Sequence, residues 1–509
     1  VPDLLATALF FLTLLTVVGA GEALRAWAGW APEASRRFVH AATGIAVALC
    51  PPFFSGPAGI YVLAVVFVGV NLVAVRRRLF LGMHGIARET WGTVAFPLAL
   101  IVALYLCWTL DPERVYILRA AFLVLAISDP LAAWVGGRAS GGRYRVNGQT
   151  KTIAGSVAFV VSAVALLALS LAFWAPEALK LQASGGADWR WIGAGALVAA
   201  SLAGAAEALG VRGWDNLWIV LAVIVGLTAM HEAPEASGVA LAALSIAVAF
   251  GLLSVRARFL DLSGALAAGL LAWAVVALGG VAWAVPGFTF FFASSVLSRL
   301  GRQRKHAAEA KAAKGSQRDA AQVVANGGVA GLLLAATLFA PEAWSAALYW
   351  SFVGAFAAAA ADTWGTEIGT WIGGPTREVL RWRRVDAGES GGVSFGGTLG
   401  GIAGATLVVA SAWAFALEAS FGAASGVVPS GAALALGGGV LAAWVDSALG
   451  ATVQARFRLP DGSLTEAPTR GGAALPLARG WRWMTNDRVN LACTLVGGAL
   501  PLAALLSWG

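Results

Sequence analysis

The chain has 509 residues, 59% of them hydrophobic and only 12% charged, with a mean hydropathy of +0.77 and a formal net charge of +8. This composition excludes a soluble globular domain and leaves a membrane protein. No nucleic-acid motif accompanies the basic residues, so their excess reads first as a topology signal with room for phosphate binding.

A bilayer crossing takes roughly 20 apolar residues. About 16 such runs follow one another, at 4–20, 38–55, 58–75, 90–108, 114–136, 152–173, 191–208, 216–230, 237–254, 262–278, 284–298, 322–340, 343–361, 394–417, 431–451 and 489–507. The first run starts with Asp3 and no basic residue, a poor leader sequence, so it is read as a span despite the small residues Val18-Gly19-Ala20-Gly21. Alternate loops hold 31 of the 35 Lys and Arg residues; only Arg114, Arg119, Lys180 and Arg190 fall on the other side. The predicted fold is therefore an all-α polytopic bundle in the cytoplasmic (inner) membrane, with basic loops inside and both termini external. Cys50, Cys107 and Cys493 lie far apart in apolar runs and are expected to be packing residues.

Eight spans precede His231-Glu232-Ala233-Pro234-Glu235 and eight follow it. An even number per half predicts two parallel eight-helix halves, 1–235 and 236–509. Polar residues recur at matching places. Span 5 carries Asp129 in SDPLAAWVGG and span 13 carries Asp362 in ADTWGTEIG; span 7 ends in Glu207 and span 15 near Asp446. Span 8 opens at Asp215-Asn216, and span 16 follows Asn486-Asp487 and contains Asn490. These coincidences predict two sites of one kind, both facing the cytoplasm.

Carboxylates at a membrane edge are costly unless paired or bound to metal. Asp129, Glu207 and Asp215 in the first half, with Asp362, Glu367, Asp446 and Asp487 in the second, are candidate ligands for Mg²⁺ carrying nucleotide phosphates. Lys151 precedes a Gly155-Ser156 helix start, and Ser394-Phe-Gly-Gly397-Thr398 is its counterpart. Backbone N–H groups there, with the Lys151 charge, suit a phosphate. Neither is a Walker P-loop, because the GxxxxGK[ST] pattern is missing. Arg36, Arg37 and His40 share the start of span 2, and positions three or four apart lie on one helix face. Ser156, Asn216, Asn486 and Asn490 join the candidate phosphate contacts, as do Arg299, Arg318 and Asn326, which abut spans. A surface helix is expected within the basic stretch 299–321. His84, His231 and His306 are assigned no chemistry.

In their order these motifs resemble two membrane-kinase families joined head to tail. RRFVHAATG, SDPLAAWVGGR, KTIAGSVAF, AEALG and GWDN, across about 1–235, are similar to the phytol kinase and dolichol kinase-like family. SSVLSR, RDAAQVVANGGV, AADTWGTEIGT, SGGVSFGGTLGG, VDSALGATVQ and NDRVN, across about 236–509, resemble the phytyl-phosphate kinase family. One departure is Arg36-Arg37 where the first family has Arg-Lys; the charge is kept, but the two side chains hold phosphate differently. The resemblance implies a bifunctional isoprenoid-alcohol salvage enzyme. Its first half would phosphorylate phytol or a similar prenol, and its second half would add a phosphate to the monophosphate. CTP would be the donor and Mg²⁺ the cofactor, with the lipid bilayer as the other partner. Asp129 would be ligand or base, Lys151, Arg37 and His40 would meet donor phosphates, and the apolar tail would lie in a groove lined by Trp and Ala. Two other classes use similar residues. A CTP-dependent cytidylyltransferase would release pyrophosphate, and a prenyl-phosphate transporter or flippase would need no nucleotide and would bind near the midplane.

Overall fold

The computed structural model describes residues 2–77, 90–180, 188–300, 317–386, 389–416, 427–470 and 472–508. Each predicted apolar run is a helix. The first eight are α1 (Pro2–Trp27), α2 (Pro32–Leu49), α3 (Ala58–Arg77), α4 (Gly92–Leu104), α5 (Val115–Arg138), α6 (Ile153–Trp174), α7 (Trp189–Leu209) and α8 (Asp215–Glu232). The next eight are α9 (Ser237–Arg256), α10 (Leu262–Ala277), α11 (Gly280–Leu300), α12 (Ala320–Ala336), α13 (Ser345–Ile372), α14 (Phe395–Ala416), α15 (Val427–Thr452) and α16 (Asn486–Trp508). The chain is a polytopic helical membrane protein.

Thirteen of these helices, among the described residues, are long and apolar enough to cross a bilayer. The other three fall short for plain reasons. Charged Glu33, Arg36 and Arg37 occupy the start of α2. α10 and α12 have 16 and 17 residues, about 24–26 Å at 1.5 Å per residue, against a hydrocarbon layer of about 30 Å. The surface helix expected within 299–321, with Arg302, Arg304, Lys305, Lys311 and Lys314, falls outside the described residues, as do His84 and His306.

Two compact units divide the chain, Val1–Leu244 and Ser245–Gly509, with the boundary inside α9. In unit 1, α5 packs against α2, α6 and α8, while α7 packs against α6 and α8. In unit 2, α13 is the central helix, touching α11, α12, α14, α15 and α16. Every residue from Ala347 to Ala361 on it is buried. That segment is apolar all round and rich in alanine, which lets neighbours close on every side. The pairs α5–α6, α6–α7, α7–α8 and α5–α8 recur as α13–α14, α14–α15, α15–α16 and α13–α16. The first four helices do not repeat so closely, since α2 packs on α5 whereas α11 and α12 pack on α13.

The helix α13 runs well past its predicted end at 361, and α5 ends two residues past its predicted end at 136. α5 continues nine residues past Asp129 to Arg138, and α13 continues ten past Asp362 to Ile372. Both acids therefore lie within a helix rather than at the end of one. Hydrogen bonding along the backbone carries the helix on after the hydrophobic pattern stops. In α5 the next residue, Pro130, offers no N–H to Ala126 four positions back.

The connecting segments, read from sequence as plain basic loops, contain short antiparallel strands. β1 (Arg143–Val146) and β2 (Gln149–Thr152) form a hairpin turning on Asn147-Gly148, with φ of 49° and 74°. That pair is a strong two-residue hairpin signal. In unit 2, β3 (Thr376–Glu378), β4 (Arg384–Val385) and β5 (Gly392–Val393) make one small sheet in the order β4-β3-β5. β6 (Arg456–Arg458), β7 (Leu464–Thr465) and β10 (Leu477–Arg479) make another, with β8 (Thr469–Arg470) and β9 (Ala473–Ala474) paired beside them. Cys50, Cys107 and Cys493 are free and buried, as their apolar surroundings predicted.

Candidate active sites

In unit 1 the site is built where α5 and α7 end and α6 and α8 begin. Gly44 on α2 faces α5; a Cβ there would lie 2.6 Å from the Ala126 Cβ, so only glycine allows this approach. Such a close crossing sets His40, one turn earlier, against α5. Its Nε2 lies 3.0 Å from the Leu125 carbonyl and 3.7 Å from Asp129 Oδ2. A carbonyl only accepts, so Nε2 carries the proton and donates it to Leu125. The ring therefore points its N–H edge toward the Asp129 side.

The β1–β2 hairpin folds onto the end of α7, with the Asn147 amide donating to the Leu209 carbonyl at 2.9 Å. Lys151 follows on β2 and forms an ion pair with Glu207, also donating to the Glu207 backbone carbonyl at 3.1 Å. Burial alone would push the Lys151 ammonium down; Glu207, backed by Asp215 and Asp129, more than offsets this and holds it above the usual lysine range. Asp215 and Glu207, with the cations Lys151 and Arg36, all lie within electrostatic reach of Asp129. Thr152 caps α6 by accepting from the Gly155 N–H at 3.2 Å, and a Cβ on Gly155 would come within 2.9 Å of the Ala132 carbonyl on α5.

Other predicted contacts are committed locally. The Asn216 amide is buried and donates to the Gly92 carbonyl at 2.9 Å, so it ties α8 to α4. Arg36 and Arg37 both bind Glu33, at 3.0 and 3.3 Å, and the Ser156 hydroxyl meets Tyr144 at 2.5 Å. Glu207, expected as a metal ligand, has Lys151 as its partner instead, because two opposite charges this buried neutralise each other.

Above the His40–Asp129 contact, α1–α4 and α8 enclose a cavity of about 130 Å³. Its walls are Leu14, Val18, Leu63, Phe67 and Phe96, with Arg36, His40, Asn71 and Asn216 as polar groups. The expected groove was lined by Trp and Ala. In unit 1 the cavity wall is mainly aliphatic and phenylalanine, whereas Trp444, Ala361 and Ala443 line the cavity of unit 2.

In unit 2 the equivalent helix ends enclose a polar cavity of about 90 Å³ lined by Asp362, Thr366, Ser394, Thr398 and Ser447. Ser394 caps α14, accepting from the Gly397 N–H at 3.1 Å. Glycines dominate the start of α14 because it lies on α13: a Cβ on Gly401 would stand 2.9 Å from the Ala361 carbonyl, and one on Gly404 2.8 Å from Trp364 Cγ. Much of the glycine pattern read as phosphate chemistry thus serves helix packing. The first turn of α14 still faces the cavity, opposite Asp362.

Asp362, Asp446 and Glu466 lie within electrostatic reach of one another. Glu466 was missed from sequence, since it stands alone in a segment without periodicity. It accepts from Ser390 Oγ at 2.8 Å and Gln454 Nε2 at 3.0 Å, with Arg456 at 3.5 Å. Gln454 also donates to Asn486 Oδ1 at 3.2 Å, which brings predicted Asn486 into this network. Asp487 and Asn490 follow on α16. Glu367, the residue after Thr366 on α13, accepts from Ser298 at 2.9 Å.

Asp446 Oδ2 is buried without a hydrogen-bond partner. A buried carboxylate oxygen without a donor is a group that a hard cation would satisfy, so Mg²⁺ fits the unit 2 acids. In unit 1, Asp129 and Asp215 are the carboxylates left once Lys151 neutralises Glu207. The predicted metal residues do not form a ready three-ligand cluster. Among the described residues the one group with ligand atoms within 4.8 Å of one another is Asp111, His231 and Glu232. Arg114 already neutralises it, at 3.1 Å from Asp111 and 2.7 Å from Glu232.

Arg299 lies over the Phe259 ring and donates to the Ala257 carbonyl, away from both cavities. Arg318 and Asn326 line a third space in unit 2.

Residues 245–498 match the sequence model of the family described as "Integral membrane protein DUF92". Among curated proteins the chain is similar to an uncharacterized membrane protein of Synechocystis, 28% identical over 232 residues, covering 44% of this chain and 77% of that protein. It is also similar to Protein PGR of Arabidopsis thaliana, 29% identical over 245 residues, covering 44% of this chain and 82% of the other. An uncharacterized membrane protein of Methanocaldococcus jannaschii is 26% identical over 156 residues, 30% of this chain and 61% of that one. No solved structure matches the chain. Its C-terminal region, 245–498, is thus like the DUF92 integral membrane proteins, and the motifs that resemble phytyl-phosphate kinases lie inside that stretch.

Proposed function

We propose that the protein is a two-step phosphotransferase for isoprenoid alcohols, with unit 1 making a prenyl monophosphate and unit 2 the diphosphate, CTP serving as donor and Mg²⁺ as cofactor. One observation carries this reading. In unit 1 His40 stands in the wall of an apolar cavity and 3.7 Å from Asp129, which has Lys151 and Asp215 within electrostatic reach, so an apolar chain and a charged donor would approach the same carboxylate. The family resemblance supplies the substrate class and the nucleotide.

In unit 1 the alcohol chain would lie between α1 and α4 with its hydroxyl at the His40–Asp129 contact. Asp129 would accept the hydroxyl proton as the alcohol oxygen bonds to the donor's terminal phosphorus. The bond from that phosphorus to its bridging oxygen breaks, and the nucleoside diphosphate leaves with the bond electrons. His40, fixed by Leu125, would wall the acceptor beside Asp129 and exclude water; Lys151 would exchange Glu207 for the departing phosphate to bring it positive charge. Phosphoryl transfer asks mainly for such positioning and charge neutralisation. In unit 2 the start of α14, with Ser394 and Thr398, would hold the donor phosphates opposite Asp362. Asp362, Asp446 and Glu466 would hold Mg²⁺, whose contribution is to neutralise phosphate charge.

The test is product analysis of the purified protein in lipid nanodiscs with γ-labelled CTP and phytol. Label should pass to lipid-soluble monophosphate and then diphosphate, with CDP released. Release of pyrophosphate would favour a cytidylyltransferase, and absence of nucleotide turnover would end the kinase reading.

A further inference from the structure

Trp371, Trp382, Trp481 and Trp483 in unit 2 are each more than half exposed. Trp371 is next to last in α13, and Trp481 and Trp483 stand just before α16 begins at Asn486. Helix ends are where a span leaves hydrocarbon for the headgroup layer, and an indole suits that level because its body is apolar and its N–H polar. The turn carrying Trp481 and Trp483 is pinned there, since the Trp481 N–H donates to the Val453 carbonyl just past α15, at 2.9 Å.

Trp382 is held by other means. It lies in the turn between β3 and β4 with φ of 54°, a left-handed conformation that is costly for a bulky side chain. Packing does not offset that cost, because the ring is exposed. Its N–H donates to the Glu378 carbonyl at 2.9 Å, and Arg377 Nη1 donates to the Trp382 carbonyl at 2.9 Å. The Arg377 guanidinium also lies over the indole, 5.7 Å from the ring centre.

Arg488 repeats the arrangement on Trp483. Its Nη1 donates to the Trp483 carbonyl, its guanidinium lies 5.7 Å from the ring centre, and Trp481 stacks on Trp483 at 5.4 Å. Unit 1 has one pair of the same kind, Arg138 over Trp134 at 4.1 Å, with Nη1 donating to the Trp134 carbonyl at 3.3 Å. No carboxylate among the described residues pairs with Arg138, Arg377 or Arg488, and each guanidinium keeps most of its N–H donors. Arg381, Arg384 and Arg482 beside them are exposed as well, while the nearby acid Glu378 is buried against Arg383 at 2.5 Å. The Arg119–Trp174 contact differs: Arg119 Nε is committed to the Ala48 carbonyl at 3.0 Å, and Trp174 is half-buried. An exposed indole under an unpaired guanidinium is complementary to a headgroup layer that carries phosphodiester anions.

We infer that the Arg377–Trp382 and Arg488–Trp483 pairs bind the headgroups of anionic membrane lipids, so that the small sheets of unit 2 lie on the bilayer surface. Binding needs neither nucleotide nor acceptor, so its test stands apart from phosphoryl transfer. The full chain in dodecyl maltoside is titrated with dioctanoyl phosphatidylglycerol and with dioctanoyl phosphatidylcholine, and bound lipid is counted by native mass spectrometry. Phosphatidylglycerol should bind about 10-fold more tightly. Arg377→Gln/Arg488→Gln should retain about two fewer phosphatidylglycerols per chain, and each single variant about one fewer, which decides the matter if the double variant fails to fold. Trp382→Ala/Trp483→Ala keeps both charges and should weaken the remaining preference about 3-fold. Arg458→Gln removes an exposed charge on β6 that has no indole beside it, and should change nothing. Equal binding of the two lipids, or wild-type retention in the folded arginine variants, would overturn the inference. A loss in Arg458→Gln as large as in Arg377→Gln would replace the paired sites with diffuse surface charge, and displacement of the lipid by an equal concentration of inorganic phosphate would replace them with a free-anion site; either result refutes the proposal.

Discussion

The Lys151–Glu207 pair gives the sharpest quantitative test of unit 1. Its side chains are 18% and 8% exposed, so neither charge is well solvated once its partner is removed. Removing one member of a buried pair typically costs about 3–5 kcal/mol, mostly from the charge left behind. Some exposure remains on Lys151, so Lys151→Met should cost about 3 kcal/mol and Glu207→Gln about 2 kcal/mol. The double variant leaves no orphan charge. It should cost no more than the worse single change, a coupling of roughly 2–3 kcal/mol. The assay is unfolding of nanodisc-extracted protein in mixed micelles by added sodium dodecyl sulfate, followed by tryptophan fluorescence. Because Glu207 holds the Lys151 ammonium above its ordinary range, the pair's contribution is complete below the unfolded lysine value and is lost only as pH rises through the raised one. The coupling should therefore be the same at about pH 6 and about pH 9. Additive single effects, with coupling below about 0.5 kcal/mol, would show that the pair is not what anchors the hairpin, and Glu207 would again be free for a metal.

Three further predictions follow from the same geometry. Gly401→Ala puts a methyl 2.9 Å from the Ala361 carbonyl; it should destabilise unit 2 by about 1–3 kcal/mol and impair its transfer more than that of unit 1, measured by unfolding and by monophosphate turnover. Asp446→Asn and Glu466→Gln should each raise the Mg²⁺ concentration needed for half-maximal monophosphate turnover by at least about 10-fold, and an unchanged magnesium titration would remove these residues from the metal site. Single cysteines at Arg145 and Asp461 in a cysteine-free background should label from the cytoplasmic side and one at Glu113 from the opposite side, as the partition of Lys and Arg requires; the reverse pattern for either basic-loop position would overturn the topology.

The helices were legible because a crossing demands a long apolar run, and all sixteen runs are helical. Their ends were less so: hydrophobicity stops at Asp362, whereas hydrogen bonding carries α13 on to Ile372. The β1–β2 hairpin was readable in principle from Asn147-Gly148 between polar strands, but it is short and sits in a stretch whose charge drew the interpretation toward topology. Glycines near Thr398 look alike whether they bind phosphate or admit a neighbouring helix, and only the Ala361 and Trp364 contacts separate those roles. Glu466 had no sequence signal at all. Its place beside Asp362 depends on the segment around Gln454 and Arg456 meeting Ser390, 76 residues away from Glu466. Asp129 and Asp362 stood out in the sequence because an acid inside an apolar run is costly, and each has further acids within electrostatic reach.

The measurement closest to the central claim uses those two acids. Wild type, Asp129→Asn and Asp362→Asn are incubated with labelled CTP, Mg²⁺ and either phytol or its monophosphate. Asp362→Asn should accumulate monophosphate from phytol, and Asp129→Asn should leave phytol untouched while still converting added monophosphate to diphosphate. Loss of both reactions in either folded variant would mean one composite site and would contradict the two-step account.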